Sequence, residues 1–150
     1  MENPDQIKNA IRNLLETQRL GVLSTQAKGE PHASLVAFAV GEELKSIVFA
    51  TPRTTRKYAN LEADSRAALL VDNRANQASD FRTAMAVTAK GSAAETFGTQ
   101  REKCLELYLA VHPQLEDFVK SPSCALMLLK VEIYQVVRRF QSVMELHITP

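Results

Sequence analysis

The feature that most restricts what this chain can fold into is a succession of short β-forming runs joined by turn signals. Residues 21–25, 33–40 and 46–51 are rich in Val, Ile, Leu, Phe and Thr, with "KGEP" (Lys28 to Pro31) between the first two and Gly41-Glu42 between the second pair. Gly and Pro at such joints mark tight turns. Strands joined this closely run antiparallel, because a parallel pair needs a crossover of roughly a dozen residues or more. Further runs at 67–71, 84–94 and 125–137 bring the expected count to about six. No G-x-G-x-x-G or G-x-x-x-x-G-K appears, which removes the usual markers of a nucleotide-binding parallel sheet. The expected fold is mainly β (α+β): an antiparallel six-stranded split β-barrel with peripheral helices.

The helices are placed by their caps. Asn3, Pro4 and Gln6 read as a capping box with Pro in the first turn, and Ile7, Ile11, Leu14 and Leu15 follow at helical spacing to about Arg19. Thr54 or Thr55 can cap a short helix carrying Lys57, Tyr58 and Leu61. Gly98, Thr99 and Glu102 read as a second capping box, and His112-Pro113 ends the helix behind it. Residues 72–80 are polar and read as a surface loop.

A chain of 150 residues is one domain's worth, so residues 1–150 are expected to form a single domain. Eighteen basic against seventeen acidic residues leave a net charge of +1; a nucleic-acid partner, which calls for a basic excess, is not expected. Neither a secretory leader nor an apolar run of membrane-spanning length is evident, so the expected setting is the cytoplasm, with no membrane partner. Cys104 and Cys124 stand alone and read as small core hydrophobes. His32, His112 and His147 lack metal-site spacing, and the serines lack a G-x-S-x-G elbow, so neither a preformed metal site nor a hydrolase triad is expected. His112, beside Pro113, reads as a cation at a helix C-terminus.

The candidate site lies in "IVFATPRTTRKYANL", where an apolar strand gives way to Arg53, Arg56 and Lys57 beside two threonines. If a threonine caps the helix, its hydroxyl, the free amides of the first turn and two long cations converge on one region, an assembly suited to a phosphate monoester. On spacing alone a solvated cationic face remains the alternative. Arg53 belongs to the preceding loop and is left out.

The order of these features resembles the FMN-binding split barrels related to pyridoxamine 5'-phosphate oxidase. Phe49-Ala50-Thr51 followed by Thr55-Arg56-Lys57 is similar to that family's aromatic-x-Thr and Ser-Arg-Lys pattern, and "ADSRAALLVDN" and "AVTAKGSA" resemble its next strands. The resemblance implies FMN as cofactor, its phosphate held at Thr55, Arg56 and Lys57, with Ala50 and Thr51 beside it. It also implies that the strand His32, Ala33, Ser34, Leu35, Val36, Ala37 runs along the flavin. Implied partners are a second copy of the chain, giving a homodimer with two flavins at the boundary, and a small-molecule substrate or electron donor. The strand 33–40 is apolar on both faces, which fits a partner on one of them; a helix around Leu105 and Tyr108 of the same chain is the competing cover.

The departures concern substrate. His32 and Ala37 stand where the oxidase has Arg and Lys, Ala86 where it has Gln, and Glu145-Leu146-His147 where it has Arg-Leu-His. Pyridoxamine phosphate is therefore not the expected substrate. Arg138, Arg139 and Phe140 either reach a neighbouring subunit's flavin or form a solvated strand end. The leading function is an oxidoreductase of a small substrate. Its rivals are a non-catalytic FMN carrier, a haem- or deazaflavin-using member of the same group, and a ligand-sensing module without cofactor.

Overall fold

The computed structural model describes residues 2–150. Helix α1 (Pro4–Thr17) opens on the expected capping box: the Asn3 amide donates to Gln6 Oε1 at 2.9 Å and the Gln6 amide to Asn3 Oδ1 at 2.8 Å. It ends two residues earlier than the spacing predicted, because Gln18 is already extended, and it buries Ile11, Leu14 and Leu15. Strands β1 (Leu20–Ala27) and β2 (Glu30–Val40) form a hairpin whose turn residues, Lys28 and Gly29, both have positive φ. That is the two-residue turn whose twist matches the flanking strands. Then follow β3 (Ser46–Pro52), α2 (Arg56–Ala63), β4 (Arg66–Asp72), α3 (Asp80–Thr83), β5 (Met85–Glu95), α4 (Gly98–Val111), α5 (Glu116–Lys120), β6 (Cys124–Arg138) and β7 (Ser142–His147).

The strand order β3-β2-β1-β4-β5-β6, closed by a β3–β6 ladder, makes a six-stranded antiparallel barrel. The interior is filled by its own side chains, with Leu23, Phe38, Phe49, Leu69, Leu129 and Tyr134 almost fully buried. The Tyr134 hydroxyl, which would be costly to bury alone, donates to the Leu44 carbonyl at 2.7 Å. Strand β6 has two partners on one edge. Its first half, to Lys130, pairs with β3, and its second half, from Ile133, pairs with β7. Strand β7 was not among the expected elements.

Two local expectations are corrected. The helix α4 begins at Gly98 with Phe97 as an uncapped N-cap residue, and Gly98 has φ +57°. The end of β5 is tied to β6 by both the Thr96 amide and hydroxyl on the Leu126 carbonyl, at 2.9 and 2.8 Å; the chain must turn sharply into the helix, and Thr99 falls inside the first turn instead of before it. His112 does not stand free at the helix end: it is 1% exposed, its Nε2 lies 2.7 Å from the Phe38 carbonyl it bonds, and its ring packs on Tyr108.

That bond ties the end of α4 to the outside of the barrel, and a second apolar cluster of Val48, Ala50, Cys104, Tyr108, Val119 and Leu126 forms beneath it. Both cysteines are buried and unbridged, as the sequence reading held. Residues 73–79 of the expected 72–80 loop leave the sheet, Asp72 still pairing in β4 and Asp80 opening a one-turn helix. The Asp80 carboxylate accepts amides of Ala75, Asn76 and Gln77 at 2.9, 2.8 and 3.2 Å, bonds that hold it below the usual Asp range. Asp80→Asn is expected to loosen this loop, read as faster amide exchange at residues 75–77 with the melting temperature of the barrel little changed. No helix among the described residues is long and apolar enough to cross a membrane.

Candidate cofactor site at the split of the barrel

The barrel is open at one seam. Strand β2 pairs with β1 from Glu30 to Ala37, but its ladder with β3 covers only Phe38, Ala39 and Val40. The N-terminal half of β2 therefore has one edge without a strand partner. The Phe38 amide donates to the Arg19 carbonyl at 3.3 Å, on the β1 side. By strand alternation, the main-chain groups of the even residues face β1, and those of Ala33 and Leu35 face the seam.

The helix α2 starts where β3 leaves this seam. Of the two candidate caps the structure selects Thr55, whose Oγ1 accepts the Tyr58 amide at 3.3 Å. The Thr55 hydroxyl lies 2.7 Å from that of Thr51 and 2.9 Å from the Pro52 carbonyl. Thr51 is fully buried, so its side chain supports Thr55 from below. The amides of Arg56 and Lys57, first and second in the helix, have no intrahelical acceptor by position.

Across from this first turn stands the β1–β2 hairpin. A cavity of about 180 Å³ between them is lined by Lys28, Glu30, His32, Arg56 and Asn60, with Ala27 and Pro31. Asn60 closes its floor: it is 5% exposed and donates to Thr25 Oγ1 at 3.0 Å, holding α2 against β1. Arg56 is exposed, and Lys57 is half-buried, with its ammonium pushed below the ordinary Lys value by that burial. A lone cation in that state gains from an anion that restores what burial removed. Two residues along β2 from His32, the Ser34 hydroxyl is buried without a partner among the described residues.

Arg53 has other work. Its guanidinium bonds both oxygens of Glu95 and donates to the Pro122 carbonyl at 2.8 Å, while the Tyr58 hydroxyl donates to Glu95 at 2.7 Å. The hydrogen bond from Arg53 holds the Glu95 carboxyl below its usual range; Tyr58 acts in the same direction and burial opposes. A carboxyl with its folded-state pKa lowered stabilises the fold above the ordinary value of about 4.3, and that contribution disappears as pH falls through the lowered value. The difference in melting temperature between wild type and Glu95→Gln should therefore be present at neutral pH and vanish on acidification below the usual carboxylate range. A difference independent of pH would show that the charge of Glu95 is not what stabilises.

The structure thus brings His32 and Arg56 to one cavity; Thr55 and Lys57 flank Arg56 in the chain, and Thr51 bonds Thr55 from beneath. It does not gather the other expected residues as side chains. Val36 points into the core, Ala50 lies in the cluster under α4, and Leu35 and Ala37 are on the outer face of β2. Lys28, Glu30 and Asn60 were missed; the turn "KGEP" beside His32, and the i, i+4 spacing of Arg56 and Asn60, were the available signals. Arg138 pairs with Glu2, and Phe140 packs edge-on to Phe81 beside a cleft of about 580 Å³. Among the described residues no group of three or more His, Cys, Asp or Glu is placed to hold a metal ion.

A seam-flanking helix with a capped, cationic N-terminus on a six-stranded barrel defines a class, and comparison with known proteins gives it a name. The family model described as pyridoxamine 5'-phosphate oxidase matches residues 7–138. The chain belongs to that family. Among solved structures, a haem-binding protein from Mycobacterium smegmatis superposes with a TM-score of 0.84 at 17% identity, over 98% of this chain and 59% of that one. This chain therefore spans about three-fifths of that relative's length. A protein from Clostridium acetobutylicum related to general stress protein 26, of the pyridoxinephosphate oxidase family, has a TM-score of 0.74 at 13% identity, covering 98% and 97%. An FAD-binding protein from Mesorhizobium loti has a TM-score of 0.71 at 16% identity, covering 85% and 90%. At these identities the likeness is one of fold. No curated protein matches the sequence.

Proposed function

We propose that this protein is an FMN-binding flavoprotein, an oxidoreductase acting on a small substrate, with the cofactor's phosphate at the N-terminus of α2. The observation that carries the reading is the junction of two donor sets at the seam. The first turn of α2 offers free amides, the Thr55 hydroxyl, Arg56 and Lys57, and the unpaired edge of β2 offers the main-chain groups of Ala33 and Leu35. The first set suits a phosphate monoester, and the second suits the polar edge of a planar ring system. The residues present thus fit FMN, with the buried, unpartnered Ser34 hydroxyl a further donor on the same strand. The flavin supplies hydride transfer at N5 when bound. The protein's own part is to hold the phosphate, orient the ring along β2 and exclude water from its face.

A second copy of the chain completes this reading. Leu35 lies opposite Val22, and Val22 opposite Leu70, so these residues form one apolar stripe across β2, β1 and β4, with Leu35 67% exposed. Such a stripe on a barrel wall fits a homodimer that also covers the flavin. The other end of the β2 outer face, at Ala37 and Ala39, is covered by this chain's own α4, which narrows the proposed interface to the Leu35 end. Light scattering should give a dimer for the wild type and a monomer for Leu35→Glu; a monomeric wild type that keeps its flavin would remove the dimer from the proposal.

The absorbance spectrum of freshly purified protein tests the cofactor. Flavin bands support the reading, a Soret band replaces it with haem, and neither leaves a module without cofactor. Turnover of reduced nicotinamide by the flavin-loaded protein separates an oxidoreductase from an electron carrier. Pyridoxamine phosphate should give no steady oxygen consumption, since Glu145, on β7 and bonded by Gln135, would repel its phosphate.

A further inference from the structure

The cluster of Arg53, Glu95 and Tyr58 lies outside the phosphate contacts proposed above, yet it brackets them along the chain. Glu95 is the last residue of β5, and its side chain is 10% exposed. Its Oε1 accepts the Tyr58 hydroxyl at 2.7 Å and Arg53 Nε at 3.3 Å, and its Oε2 accepts Arg53 Nη2. Arg53 is further tied to the chain before β6, through Nη1 on the Pro122 carbonyl at 2.8 Å and its amide on the Ser123 carbonyl at 3.0 Å. Arg53 stands two residues before the cap Thr55, and Tyr58 is the residue whose amide that cap accepts. One carboxylate therefore grips both ends of the segment that contains Thr55, Arg56 and Lys57.

We propose that Glu95 is a positioning residue for the cofactor phosphate: through Arg53 and Tyr58 it fixes the first turn of α2. The inference rests on the FMN reading above. A bidentate Arg–carboxylate pair that also takes a third donor is directional and loses little side-chain freedom per bond, unlike an exposed lysine pair. It acts on a short loop that has left the sheet and is otherwise held only by the Arg53 bonds to Pro122 and Ser123 and the Thr55 bonds to Thr51 and Pro52. Released from Glu95, that loop can move relative to β2. The cap, amides and cations then no longer converge on one point.

The test separates phosphate from ring. The full chain, stripped of flavin, is titrated with FMN and with riboflavin, which lacks the phosphate, by quenching of flavin fluorescence, for wild type, Glu95→Gln and Tyr58→Phe. Glu95→Gln is expected to weaken FMN about tenfold, the loss of roughly one charge-assisted contact, and to leave riboflavin within about twofold. Tyr58→Phe should weaken FMN by a smaller factor, again sparing riboflavin. Parallel loss of both flavins would mean a general effect on the fold and would overturn the proposal, as would unchanged FMN affinity in Glu95→Gln. If Glu95→Gln melts too low to titrate, the FMN-to-riboflavin ratio of Tyr58→Phe decides alone. A wild type that does not prefer FMN over riboflavin would overturn the phosphate reading and this inference together, whereas a preference kept intact by the variants sinks only the inference.

Discussion

The double variant Arg56→Ala, Lys57→Ala should bind FMN at least about a hundredfold more weakly than wild type, because it removes two charge-assisted contacts to one dianionic group. Both residues lie in the first turn of α2 and neither belongs to the apolar clusters, so the melting curve of the flavin-free protein should hardly move. Riboflavin affinity should also stay close to wild type. Rising salt should weaken FMN binding in the wild type and have less effect in the double variant, since exposed charges are screened and Arg56 is exposed. Copurification of the double variant with as much FMN as the wild type carries would sink the assignment of the phosphate to α2.

The largest expected loss of stability comes from Gly91→Ala. The register between β5 and β6 shifts between Lys90 and Gly91, and a Cβ at Gly91 would overlap the Lys130 carbonyl. That obstacle is backbone in the middle of β6, bonded into ladders on both sides, so it cannot swing aside as a side chain could. A loss of about 3 kcal/mol or more is expected in urea melts, with lower soluble yield. Gly98→Ala makes the useful contrast: a Cβ there meets nothing within 4 Å, but φ is +57°. It should cost only about 1 to 2 kcal/mol, the strain of a left-handed residue. Equal effects at the two glycines would mean that the close approach of β5 and β6 is wrongly placed.

The two glycines also illustrate what could be read from the chain alone. Gly29 and Gly98 sit at punctuation points that a linear reading recognises. Gly91 lies inside a strand pattern, and its necessity depends on Lys130, a residue far along the chain. Strand β7 was missed for a related reason. Its Val143–Leu146 alternation is short and half exposed, and it becomes a strand only because β3 leaves the edge of β6 after Lys130. The candidate site divides the same way. Thr55, Arg56 and Lys57 were legible because a cap and a first turn are defined by neighbours within four residues. Lys28, Glu30 and Asn60 were not singled out, because what joins them is the packing of α2 against the β1–β2 hairpin.

By itself the sequence determined the order of the six barrel strands and of α1, α2 and α4, the antiparallel connections and the position of the cationic helix start. These follow from periodicity, turn chemistry and capping, all of which act over a few residues. Tertiary structure decided which charges are free and which faces are covered. Three cations stood together in the sequence, and a carboxylate forty-two positions away took Arg53, leaving Arg56 and Lys57. The strand β2 was apolar on both faces, and only the docking of α4, held by the bond between His112 and Phe38, showed that one end of the outer face is covered by the chain itself and the other end, at Leu35, is open. Alternation records that a side chain avoids water; it carries no information about which distant surface does the covering.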